Sequence, residues 1–115
     1  MSNTLTITGN LTADPELRHL DTGRATASLT VASTERYQDR ETGEWKDGST
    51  AFVRVVLWGD LAVHASDSLA KGSPVVVVGQ LQTRKYETDG GERRSTTELH
   101  ATEVARSLRY GPIRG

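Results

Sequence analysis

Apolar and polar residues alternate with a period of two through most of the chain, which predicts strands rather than helices. In 4–12, Leu5, Ile7, Gly9 and Leu11 share one parity, while Thr4, Thr6, Thr8, Asn10 and Thr12 take the other, as in a half-buried strand. Asp14-Pro15 ends that run, and Pro15 with Asp21-Thr22-Gly23 marks a loop. A second strand over 25–34 turns Ala25, Ala27, Leu29 and Val31 inward and Thr26, Ser28 and Thr30 outward. Residues 38–49 are charged and carry Gly43 and Gly48, so a long exposed loop is expected there. In 50–58, Val53, Val55 and Leu57 form a core face, and Phe52, Arg54, Val56 and Trp58 fall on the opposite one.

One helix is expected, over about 60–71. Asp60 can cap it, Leu61, Ala65 and Leu69 give it an apolar stripe, Lys71 suits its last turn and Gly72 the turn beyond. Val75-Val76-Val77-Val78 is apolar on both parities, which predicts a strand covered on both sides. That strand runs on from Gln80 to Tyr86 in polar sequence, Asp89-Gly90-Gly91 signals a hairpin turn, and 94–104 returns through Leu99 and Ala101. The order is β-β-β-α-β-β. A small barrel with its helix between the third and fourth strands has the layout of an OB-fold, in which strands two and three and the 1–2 and 4–5 loops bind oligonucleotides. The expected fold class is therefore all-β, a five-stranded Greek-key OB-fold barrel.

Composition narrows the picture. A chain of 115 residues holds one domain, expected over 1–110 with a short tail at 111–115. Its apolar content of 35% is lean, which fits a barrel or subunits that bury further surface against one another. It contains no cysteine, so disulfides and thiolate metal sites are excluded. Neither a membrane span nor a signal peptide is present, so no membrane partner and a cytoplasmic location are expected. The Asn10-Leu11-Thr12 sequon lacks the secretory signal that would make it meaningful. His19, His64 and His100 stand singly without metal-ligand spacing, so no metal and no cofactor are expected. With neither a glycine-rich phosphate loop nor a nucleophile elbow, an enzyme is not expected.

The net charge of −1 argues against binding nucleic acid by bulk charge. Local patches remain at Arg36/Arg40, Arg84/Lys85, Arg93/Arg94 and Arg106/Arg109/Arg114. Tyr37, Phe52, Trp58 and Tyr86 lie beside such cations, or on a strand with one. Flat rings interleaved with cations suit a single nucleic-acid strand, whose bases offer faces and whose phosphates offer charge. Taken singly, each ring fits a core or subunit contact equally well. Trp45, in an otherwise polar loop, fits either stacking on a base when the loop folds over a strand or a pin for that loop, and the pin is expected. Arg93 and Arg94 fit phosphate tracking and solvated hairpin charge equally.

An ordered set of residues over about 4–110 resembles the bacterial single-stranded DNA-binding proteins of the homotetrameric OB-fold type. It comprises Gly9-Asn10-Leu11, Asp14-Pro15-Glu16-Leu17-Arg18, Gly23, Phe52 to Trp58-Gly59, Leu69-Ala70-Lys71-Gly72-Ser73 and Val75 to Val78. Gly79-Gln80-Leu81-Gln82-Thr83-Arg84, Tyr86-Glu87, Gly90 and Val104 complete it. The stretches Val31-Ala32-Ser33-Thr34 and Ser107-Leu108-Arg109-Tyr110 are most similar to actinobacterial members. The resemblance implies base stacking on Tyr37, Phe52, Trp58 and Tyr86, and phosphate contacts from Arg18, Arg54, Lys71, Arg84 and Lys85. It implies a homotetramer that binds single-stranded DNA without strong sequence preference and protects it in replication, recombination, repair or DNA uptake, in the nucleoid. Alternative readings are an OB-fold protein-interaction or primosome adaptor module, and an RNA binder.

Three departures from the family pattern stand out. Asp60 replaces a common Lys or Arg after the Trp58-Gly59 pair, which removes one expected phosphate contact. Val53 occupies a position that is often polar and lies at a subunit contact in relatives, so different subunit packing is expected. The family's Gly/Pro/Gln-rich linker and acidic tip do not appear before Gly115, which fits either a truncated form or a tail-less paralogue. Replication and repair partners recruited by such a tail are not expected from this chain.

Overall fold

Leu29, Val31, Val55, Leu57, Val75, Val77 and Leu99 meet in one buried cluster, which gathers the inward parity of four strands. The computed structural model describes residues 3–113, with side chains throughout except at Glu35 and Arg36. The order of elements is β1 (Thr4–Leu11), β2 (Glu16–His19), β3 (Ala25–Gln38), β4 (Trp45–Trp58), α1 (Asp60–Ser68), β5 (Pro74–Glu87) and β6 (Arg93–Arg106). β1 pairs with β5, β5 with β6, β6 with β4, β4 with β3, and β3 again with β1 at Asn10–Ala32 and Leu11–Val31. Five strands thus close into a ring, as the OB-fold requires. The β4–β6 pairing is parallel and the others antiparallel. Helix α1 turns Ala62 and Ala65 onto the core cluster, and Leu69 follows them just beyond its end.

Two glycines let backbones approach where the ring bends. A Cβ on Gly9 would collide with the Ala32 carbonyl, where β1 passes from β5 to β3. A Cβ on Gly79 would collide with the His100 carbonyl and come within 2.8 Å of the Ala101 Cα. The β5–β6 register shifts at Val78/Gly79, so this close approach coincides with a bulge that bends the pair.

The structure departs from the sequence expectations at five places. A sixth strand, β2, stands where a loop is expected; it pairs with β3 from Glu16–Ser28 to His19–Ala25 and is exposed along its length. Too short to show alternation, it is held by β3 rather than by a buried face. The expected loop at 38–49 is half strand, because β3 runs to Gln38 and β4 starts at Trp45, so that the two run on as a projecting hairpin from Thr34 to Thr50 and leave only 39–44 as the turn. Asp39 organises its tip: its carboxylate accepts the Glu41 N–H at 2.8 Å and pairs with the Lys46 ammonium at 2.8 Å. Lys46, and then the Glu41 N–H, hold the Asp39 carboxyl below the usual carboxylate range.

The helix stops at Ser68, not 71; Leu69 is already extended and Gly72 takes a left-handed φ of 90°. Asp60 is not its cap, a position held by Gly59, but sits in the first turn, where its charge suits the helix dipole. Val75 and Val77 are buried, whereas Val76 and Val78 are half-buried on the face they share with Thr8 and Thr6. That second side is therefore uncovered within one protomer. No helix among the described residues is long and apolar enough to cross a membrane.

Gly79→Ala should destabilise the fold by about 1–3 kcal/mol, the usual range for forcing an extra carbon into a packed site. A lowered denaturant midpoint with an unchanged slope is the expected result.

Candidate nucleic-acid interface

The outward parity of β4 carries Phe52, Arg54, Val56 and Trp58. On β6, Glu98 and His100 flank the buried Leu99 and so point away from the core. Register aligns these residues across strands: His100 lies beside Val56 on β4 and opposite Gln80 on β5, and Glu98 lies opposite Gln82. The result is a groove of about 360 Å³. Its walls take Arg18 from β2, Thr26 and Ser28 from β3, Arg54 and Trp58 from β4, Arg84 from β5, and Glu98 and His100 from β6.

Its floor is ionic. Glu98 retains 5% of its accessible surface, the one charged residue so buried among those described. Its Oε2 pairs with Arg54 Nε at 3.0 Å and lies 4.0 Å from Arg84 Nη2, and its Oε1 lies 3.4 Å from His100 Nε2. Trp58 Nε1–H donates to His100 Nδ1 at 3.5 Å. With Nδ1 accepting, the network assigns the imidazole proton to Nε2, directed at Glu98. Only the carboxylate of this pair is buried, and a buried charge is tolerated when it is paired, as Glu98 is by Arg54, whose side chain stays 52% exposed. The Arg24 guanidinium covers the Trp58 ring at 4.6 Å from its centroid, so this half-buried indole has a cation on one face.

The other expected stacking rings lie outside the groove. Tyr37, Phe52 and Tyr86 are 48%, 69% and 44% exposed. Phe52 is on β4 opposite Ala32, Tyr37 is on the β3–β4 hairpin opposite Lys46, and Tyr86 is on the β5–β6 hairpin opposite Arg94. Around Tyr86 a second open cleft of about 560 Å³ gathers Lys85, Arg93 and Arg94. Arg84 sits 6.0 Å from the Tyr86 centroid. Alternation along β5 sets Arg84 and Tyr86 on one side and Lys85 on the other.

Of the expected phosphate contacts, Arg18, Arg54 and Arg84 converge on the groove and Lys71 does not. Lys71 follows α1, where its N–H donates to Asp14 Oδ1 at 2.8 Å. The Arg36 side chain and Arg114 lie outside the described residues. Trp45 begins β4 rather than sitting in a loop and is largely exposed, so it pins little. Arg94 is partnered by Glu92 at 2.9 Å. Among the described residues no cluster of His, Asp or Glu could hold a metal.

Sequence reasoning missed Arg24, Glu98 and His100. Arg24 immediately precedes the alternating run of β3, and Glu98 and His100 share the parity opposite Leu99; both signals were present but weak. What makes them matter is the parallel β4–β6 pairing, joining residues 44 apart in the Arg54–Glu98 contact, which no local pattern announces.

Comparisons with known proteins bear on the family and the fold. The family model described as "Single-strand binding protein family" matches residues 2–107. The chain is 53% identical over 110 residues to "Single-stranded DNA-binding protein 1" of Tropheryma whipplei, covering 96% of this chain and 59% of that protein. It is 50% identical over 107 residues to the "Single-stranded DNA-binding protein" of Mycobacterium tuberculosis, covering 93% and 65%. The chain thus spans about three-fifths of the length of these curated relatives. The crystal structure of the small single-stranded DNA-binding protein from Streptomyces coelicolor is similar with a TM-score of 0.82 and 32% identity, covering 96% of this chain and 99% of that one.

Removing the cation above Trp58 should uncover its ring. In a Trp45→Phe background, Arg24→Ala is expected to increase acrylamide quenching of the remaining indole while moving stability by no more than about 1 kcal/mol, the scale of an exposed cation–π contact.

Proposed function

The chain belongs to the single-strand binding protein family, and from that premise we propose that it binds single-stranded DNA without sequence preference. Binding, not catalysis, would be its work: coating unwound DNA in replication, recombination and repair, in the cytoplasm at the nucleoid. The observation that carries this reading is the groove in which Trp58 lies among Arg18, Arg54 and Arg84. A base stacks on the indole while the guanidinium groups meet phosphates. Phe52, Tyr37 and Tyr86 extend the stacking surface along the two hairpins, and Lys85 and Lys71 supply further phosphate contacts outside the groove. The domain responsible is the unit over 1–110.

Lack of sequence preference has a physical basis in the same groove. Two polar groups that could read base edges are already engaged: the Trp58 N–H with His100, and the Glu98 carboxylate with Arg54. Rings and guanidinium groups remain, and every base has a face to stack. Local charge does what the net charge of −1 does not.

The assembly proposed is a homotetramer, a dimer of dimers. Its support is the uncovered side of β1 and β5, where half-buried Val76 and Val78 lie opposite Thr8 and Thr6. Burying such a face against another copy would enlarge a lean core.

Titration with dT oligomers should quench Trp58 emission in the Trp45→Phe protein, and light scattering should give four times the chain mass. Trp58→Ala should weaken binding by about 1–3 kcal/mol with the fold intact. Affinity should fall linearly on a log–log plot against salt, as counterions leave the DNA on binding. No quenching by dT at low salt would overturn the reading, and tighter binding to matched rU oligomers would redirect it to RNA.

A further inference from the structure

A carboxylate at the bottom of a groove built for phosphate is out of place on electrostatic grounds. Glu98 puts a negative charge where a polyanion is meant to bind, so its geometry must explain its presence. It grips Arg54 by the Nε edge at 3.0 Å. A guanidinium presents five N–H donors in a rigid fork, and an Nε contact leaves the terminal Nη groups unspent on that carboxylate. The Arg54 side chain is 52% exposed, so that free end faces the open groove while its inner edge is held. The same carboxylate reaches His100, and His100 accepts from Trp58. One line of contacts, Trp58–His100–Glu98–Arg54, therefore joins the stacking ring to the cation beside it.

We propose that Glu98 and His100 are positioning residues of the DNA interface, fixing the Arg54 fork and the Trp58 ring in the poses that a strand needs. The inference rests on the single-strand binding reading and specifies which unliganded contacts make that site work. Glu98 touches no DNA; it acts through Arg54, directly, and through Trp58, by way of His100. Ordering two flexible groups before the strand arrives removes that entropic cost from the binding step. The gain must exceed the repulsion between the carboxylate and phosphate. That repulsion is offset because the Arg54 and Arg84 guanidinium groups stand beside the carboxylate and the His100 Nε2–H is directed at it.

The sign of one substitution separates positioning from simple charge. Glu98→Gln removes a negative charge from the groove, so a purely electrostatic site would bind DNA more tightly. Positioning predicts the reverse: a loss of roughly tenfold, the scale of one charge-assisted hydrogen bond. The slope of log affinity against log salt should also become shallower, because Arg54 no longer neutralises its phosphate. A fluorescein-labelled dT oligomer is the probe, with thermal melting and particle mass as checks on the fold. Arg54→Lys supplies a second, surface arm: lysine keeps the charge but has no fork to be gripped at one edge and free at the other. It should lose most of the affinity that Arg54→Ala loses.

A folded Glu98→Gln protein that binds dT as tightly as wild type, or more tightly, overturns the proposal. So does an Arg54→Lys protein with wild-type affinity, and that arm decides the matter if Glu98→Gln does not fold. Wild-type protein that fails to bind dT at all sinks the function reading instead, so the two failures are distinguishable.

Discussion

Backbone has to pass backbone with nothing between, and the closed sheet depends on it. At Gly9 and Gly79 the room a side chain would need is occupied by the carbonyls of Ala32 and His100. The first approach lets β1 leave β5 and join β3; the second falls at the irregular step between β5 and β6. Closure of the ring gives each strand an inside and an outside, and thereby turns plain alternation into function. The inside takes Val55, Leu57 and Leu99. The outside takes Arg54, Trp58, Glu98 and His100, brought together from strands distant in sequence. His100 belongs to both arrangements, with its carbonyl against Gly79 and its ring between Trp58 and Glu98.

Stability and recognition meet at Glu98. A buried ion pair is a weak source of net stability, because desolvation offsets much of the attraction. Breaking one is costly all the same, since an uncompensated charge is left behind. Retention of this acid within a cationic groove is thus better understood through the order it imposes on its neighbours than through its contribution to folding. The remaining rings are held differently. Tyr37 and Tyr86 ride on hairpins that project beyond the core, where few buried contacts restrain them. A rigid centre flanked by looser arms suits a ligand that is itself a flexible polymer.

Much of the architecture was legible because strands with one buried face declare their parity. The inward sets on β1, β3 and β4 appear as alternation predicts, and Phe52 and Trp58 emerge opposite the core. Legibility ended where burial ended. The β3–β4 hairpin has solvent on both sides, so its sequence shows no alternation and looks like a loop. β2 is too short to display a pattern. Within the interface, the aromatic and basic residues could be picked out by type, but their grouping could not. That Arg54 and Arg84 converge while Lys71 stays apart is decided by pairings between remote strands. Glu98 and His100 carried only the weak sign of their parity opposite Leu99, since Arg54 and Trp58, which make them matter, lie on another strand.

The outermost strand of the sheet, Glu16–His19, has a further consequence. One of its edges is satisfied by β3, and no strand pairs with its other edge among the described residues. Open edges invite neighbouring chains to add on, and ionic side chains discourage this by resisting dehydration. Glu16, Arg18 and His19 supply such side chains on a segment of four residues. Under the proposed coating of a DNA strand, neighbouring copies would lie close together, where that safeguard matters most. A margin this short and charged disfavours edge-to-edge joining of one copy to the next.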